Sequence, residues 1–103
     1  MKRFLVVFSF LSFFSVFSQT KVGGIIVDES GQPVAFANII FKDSYEGTIT
    51  NDNGRFYLES DDTYETIVVS FIGYETKEIP LPQKVNYDLE IVLNETAEQL
   101  KEV

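Results

Sequence analysis

Sixteen Asp and Glu side chains hold whatever acid–base or metal chemistry this chain can offer, because it contains no His and no Cys. That absence removes thiolate and imidazole zinc sites, Ser-His-Asp and Cys-His nucleophile systems, and the commonest general base. Asp28, Asp52, Asp61 and Asp62 lie in predicted turns, where carboxylate oxygens could ligate calcium. Thr50-Asn51-Asp52-Asn53-Gly54 comes nearest to a calcium loop. It lacks the glutamate that such a loop needs further on, and an Asn-Gly turn explains it. A glycosidase carboxylate pair would need a cleft, for which one small domain leaves little room. No glycine-rich phosphate loop occurs. No catalytic residue, cofactor or metal ion is therefore expected.

The remaining candidates are ligand contacts. Tyr45, Tyr57 and Tyr74 could stack on sugar rings, or be strand residues with an apolar body and a wet tip. Arg55 could touch a ligand, or close a cross-strand ion pair.

The elements that must position these residues read as β-strands. At the centre is Gly47 to Leu58, predicted as two short strands joined by a tight turn at Asn53-Gly54. Phe56 and Leu58 share one face there, and Arg55, Tyr57 and Glu59 the other. Upstream, Val22 to Asp28 is a strand with Ile25 and Val27 opposite Ile26. Gly23-Gly24 points to a bulge or a close backbone approach. Glu29 to Pro33 is a turn. Ala35 to Lys42 follows, with Ala35, Ala37, Ile39 and Phe41 on one face and Phe36, Asn38 and Ile40 on the other. Both sets are largely apolar, so both faces are expected to be covered.

Downstream, Thr66 to Ile72 is dense in β-branched residues, with Ile67, Val69 and Phe71 sharing a face. Gly73 interrupts it, Tyr74 to Ile79 is a weaker strand, and Pro80-Leu81-Pro82 marks a connection or an edge. Tyr87 to Leu93 closes the domain with Tyr87, Leu89, Ile91 and Leu93 inward, and Asp88 and Glu90 toward water. About seven short strands separated by Gly, Pro, Asn and Asp imply an all-β sandwich.

The chain of 103 residues allows one domain. Met1-Lys2-Arg3 followed by an apolar stretch from Phe4 to Phe17 is predicted as a secretory signal peptide, 1–18, cleaved after Ser18. The stretch is short of the roughly 20 residues that a membrane-spanning helix needs. Without Lys2 and Arg3, six basic residues face 16 acidic ones, a net charge of −10. Such a surface repels nucleic acid and anionic lipid, so neither is expected as a partner. The sandwich is assigned to 19–93, and 94–103 is read as a polar linker or tail.

Four blocks in order carry a family resemblance: Gly24-Ile25-Ile26-Val27-Asp28, Gly31-Gln32-Pro33-Val34-Ala35-Phe36-Ala37-Asn38-Ile39, Gly47 to Leu58, and Val69-Ser70-Phe71-Ile72-Gly73-Tyr74. From about Lys21 to Leu93 the chain resembles the carboxypeptidase-regulatory-like domain, a transthyretin-like β-sandwich. In metallocarboxypeptidases such a domain accompanies a separate zinc catalytic domain. Transthyretin-like hydroxyisourate hydrolases use histidines, which are missing here. The Phe36-to-Ile39 and Val69-to-Tyr74 phrases are similar to the version in exported proteins of Bacteroidetes-type bacteria. There it commonly follows the signal peptide of TonB-dependent outer-membrane receptors, ahead of a Leu-x-Glu-Val-Val segment.

The resemblance implies a non-catalytic accessory or interaction domain of the envelope, in the periplasm or outer membrane. Its partners would be other proteins or further domains of a longer protein. Strand addition near Gly73 to Ile79 is one way it could work. A cell-surface carbohydrate-binding module is the alternative. Mass spectrometry of the exported protein is expected to find Gln19 at the mature N-terminus; retention of residues 1–18 would refute the cleaved leader.

Overall fold

The computed structural model describes residues 19–96, so the leader and residues 97–103 of the predicted tail lie outside the described residues. Seven strands form: β1 Thr20–Val27, β2 Asn38–Phe41, β3 Gly47–Ile49, β4 Arg55–Ser60, β5 Thr66–Ser70, β6 Lys77–Pro80 and β7 Val85–Val92. They make two sheets, of order β4-β1-β7 and β3-β2-β5-β6. β1 runs parallel to β7, and every other pairing is antiparallel. The described residues contain no helix. The predicted all-β sandwich is what forms.

Alternation fixes which faces meet. Val22 and Ile26 of β1, Phe56 and Leu58 of β4, and Ile91 of β7 are buried from one sheet. Ile39 and Phe41 of β2 and Ile67 and Val69 of β5 meet them from the other. Each such side chain stabilises by about 1.5–3 kcal/mol when withdrawn from water. Tyr64 stacks flat on Phe41, with ring centroids 4.5 Å apart.

The Gly47–Leu58 hairpin does not form. β3 and β4 lie in different sheets, and residues 50–54 turn the corner between them. A two-residue type I′ turn needs positive φ at both central residues. Here Gly54 has φ 77°, while Asn53 is not among the residues with positive φ. The corner is instead locked by side chains. Asn51 Oδ1 accepts from the amides of Asn53 (2.9 Å) and Arg55 (3.0 Å). Ile26 N then donates to Gly54 O at 2.8 Å, starting the β1–β4 ladder. Thr50 is buried on the other side of the corner. Its hydroxyl donates to Val34 O (2.6 Å) and accepts from Ala37 N (2.9 Å).

The same threonine shortens β2. Phe36 N donates to Thr50 O at 3.0 Å, and Phe36 is held at φ 66°. That conformation ends the extended run, so the strand starts at Asn38 rather than Ala35. Ala37, Ile39 and Phe41 do point inward. Phe36 and Asn38 are exposed and Ile40 is only half-buried, so the second face is not covered.

β7 carries the other correction. Val22 pairs with Asn86 and Gly24 with Leu89, so β7 holds one residue more than β1 over this interval. Asp88, at φ 62°, is the residue that bulges. The shift brings Asn86 inward and turns Tyr87 out to solvent, while Ile91 and Leu93 remain inside as predicted. Gly23-Gly24 marks this irregularity, as expected. A Cβ on Gly24 would come within 2.2 Å of Leu89 O.

The edge proposed for strand addition is already occupied over half its length. Tyr74 bridges Glu95, Glu75 N donates to Asn94 O (2.8 Å), and Thr96 N donates to Gly73 O (3.0 Å). What remains, β6, is an edge strand of four residues that ends at Pro80, which has no N–H to offer. Lys42 and Glu78 form a salt bridge of 3.0 Å beside it.

In urea unfolding, Gly24→Ala is expected to lose about 2–3 kcal/mol, because the added carbon meets backbone that cannot yield. Gly23→Ala, whose Cβ would find neighbours at 3.5 Å and beyond, should stay within about 1 kcal/mol. Equal losses would contradict the close approach.

Candidate functional site

The carboxylates read as possible ligands are held apart. Asp28 Oδ1 accepts from Ser30 Oγ (2.8 Å), Ser30 N (2.9 Å) and Gln32 N (2.9 Å), which closes the β1–β2 turn. The Ser30 hydroxyl first, then the Gln32 amide, hold its pKa below the usual carboxylate value. Asp52, Asp61 and Asp62 are exposed at two separate turns. Among the described residues, no three His, Cys, Asp or Glu side chains are grouped to hold a metal ion.

The predicted contact residues do not converge either. Tyr45 stands fully exposed between β2 and β3. Tyr74 is half-buried after β5, with its ring 6.0 Å from that of Phe71. Burial raises its phenol pKa, and the nearby charges of Asp28, Glu95 and Glu29 add to the shift. Arg55 and Tyr57 share the outer face of β4. Arg55 lies opposite Ile25, not opposite an acid, whereas Lys42 and Glu78 do form an ion pair.

Tyr57 has a partner that the sequence reading missed. Its ring lies 6.3 Å from that of Tyr87, tilted by 32°. Both rings cover Gly23, whose missing side chain leaves room for them. Tyr57 Oη donates to Glu59 Oε1 at 2.7 Å. That hydrogen bond is the main cause of a strongly raised Tyr57 pKa; desolvation and Tyr87 contribute further. Tyr87 was expected inside, and only the bulge at Asp88 turns it out beside Tyr57.

One further surface stands out on the four-stranded sheet. A shallow groove of about 590 Å³ runs over its outer side, lined by Asn38, Ile40, Tyr45, Gly47, Ile49 and Ser70. The lining holds no carboxylate, imidazole or thiol that could activate the hydroxyls of Tyr45, Thr48 or Ser70. The groove can hold apolar or hydrogen-bonding groups, and nothing in its lining points to a reaction.

The family model for the CarboxypepD_reg-like domain matches residues 22–103. The chain belongs to this family. Two curated relatives place the domain within much larger proteins. It is 39% identical over 94 residues to the TonB-dependent receptor SusC of Bacteroides thetaiotaomicron, covering 91% of this chain and 9% of that one. It is 33% identical over 85 residues to the TonB-dependent receptor P39 of Formosa agariphila, covering 82% and 8%. The chain thus spans less than a tenth of the length of these relatives.

Among solved structures, 3-chlorocatechol 1,2-dioxygenase from Rhodococcus opacus matches with a TM-score of 0.57 at 13% identity, over 82% of this chain and 62% of that one. A type II cohesin–X–dockerin complex from Acetivibrio cellulolyticus matches with a TM-score of 0.53 at 20% identity, over 72% and 56%. These two likenesses establish the sandwich and carry nothing about activity.

In an alkaline titration followed by phenolate absorbance, Tyr57 is expected to ionise well above the usual phenol range. Glu59→Gln removes the charge that opposes the phenolate, so it should bring Tyr57 back toward the usual range. No change on that substitution would contradict the hydrogen bond.

Proposed function

We propose that this chain is a non-catalytic accessory domain of the bacterial cell envelope, forming the N-terminal extension of a TonB-dependent outer-membrane receptor or a similar surface protein. The observation that carries this reading is the match to SusC, which takes in 91% of this chain but 9% of the receptor. The domain is exported by its leader and faces the periplasm or the outer membrane. It works through protein contacts. Its chemistry agrees with that role: the chain has no imidazole or thiol, and the carboxylate of Asp28 is engaged in a turn.

A glycan-binding module is the second reading, favoured by the half-exposed pair Tyr57 and Tyr87. Calorimetry against a glycan panel, with Tyr57→Ala as control, tests it; no heat with any glycan removes it. The accessory-domain reading is tested by immunoblotting fractionated cells with an antibody to the domain. A receptor-sized polypeptide in the outer-membrane fraction is expected. A species no larger than the domain itself, soluble in the periplasm, would refute the receptor reading.

A further inference from the structure

Three apolar side chains stand in water at one end of the four-stranded sheet. Ile72 is 87% exposed, Phe36 58% and Ile49 52%. The strand register puts all three at the same end of the sheet. Asn38 of β2 is paired with Ile49 of β3 on one side and with Ser70 of β5 on the other. Phe36 stands two residues before Asn38, and Ile72 two residues after Ser70. None of Phe36, Asn38, Ile49, Ser70 and Ile72 is charged, in a chain of which 23% is charged. The groove over β3 opens onto the same rung, since Asn38, Ile49 and Ser70 line it.

Two further observations say what covers this end. Phe36 is an aromatic residue in the left-handed region, and four hydrogen bonds tie the Val34–Ala37 loop to Thr50. The ring is thus fixed outward in a strained conformation on a rigid support. Strain of this kind concentrates where a surface binds something. The second is the route of the chain. Thr96, the last described residue, donates its amide to Gly73 O at 3.0 Å, which puts it beside Ile72 and the bare apolar end. In the receptors that this chain resembles, more than nine-tenths of the polypeptide lies outside the matched region.

We infer that Phe36, Ile49 and Ile72 form the docking surface on which the domain packs against the downstream body of its own receptor. The inference rests on the receptor reading. It makes the accessory domain a fixed neighbour of the part that follows it, not a bead on a free tether. The complementary surface is apolar and uncharged. The acidic remainder of the domain keeps other faces in solvent.

The test uses the full-length receptor in isolated outer membranes, with other cysteines removed. Single cysteines replace Phe36, Ile72 or, as control, the exposed Asp61 in the β4–β5 turn. Reaction with a water-soluble maleimide is timed. A contact open for no more than about 10% of the time slows labelling about ten-fold, so Phe36→Cys and Ile72→Cys should lag Asp61→Cys by that factor. Adding Ile72→Asp to Phe36→Cys should restore fast labelling at unchanged receptor level. Equal rates at all three positions would overturn the inference and leave the receptor reading standing. Protection that disappears on dilution in detergent would assign the surface to a second copy, which also overturns it. A gene product without a downstream receptor body removes the receptor reading, and this inference with it.

Discussion

The hydroxyl of Thr50 fixes the corner at which the chain leaves the four-stranded sheet. It sits in the core, donates to Val34 O and accepts from Ala37 N, while its backbone exchanges bonds with Phe36 and Ala37. A buried hydroxyl without partners would be costly, and this one has both. By satisfying it, the fold stitches the approach to β2 onto the exit from β3. The chain must then cross to the other sheet and begin β4 under Ile26. The same stitch forces Phe36 into the left-handed region, at a cost of about 1–3 kcal/mol. Architecture and the outward display of an aromatic ring therefore share one cause.

A domain this small gains little margin from burial alone, and it has no disulfide to add to it. Its stability is drawn from close approaches and managed edges. Gly24 lets β7 lie hard against β1. The bulge at Asp88 interrupts what would otherwise be a long open edge on β7. Asn94–Thr96 pair with Gly73–Glu75 just ahead of β6, and Pro80 ends that edge. Asn51 caps Arg55 at the β4 edge through both Oδ1 and the backbone, with Asn51 N donating to Arg55 O at 2.9 Å. These devices keep open strand edges from pairing indiscriminately.

The surface that results has little chemistry and definite topography. Its acids are scattered or engaged in turns, and its two tyrosines on the β1–β4–β7 face shield a glycine. Its apolar end lies beside Thr96, the last described residue. Such a surface favours the contact role proposed above.

Much of this was legible in the residues. The strands of Thr66 to Ser70 and Arg55 to Ser60 follow from alternation and β-branching, the Gly23-Gly24 irregularity from two adjacent residues without side chains, and the lack of thiol or imidazole chemistry from composition. Those features depend on neighbours in the chain, so local rules reach them. The Gly47–Leu58 stretch, the face of Tyr87 and the length of β2 were not legible in the same way. Asn-Gly is compatible with a hairpin, but a buried threonine bonded to residues 13 and 16 positions away made it a corner. Alternation places Tyr87 inside, and one bulged residue in a strand paired across the sequence reversed it. Periodicity is a property of the chain, whereas register and sheet membership are settled only when distant hydrogen bonds compete, and that competition exists only in the folded molecule.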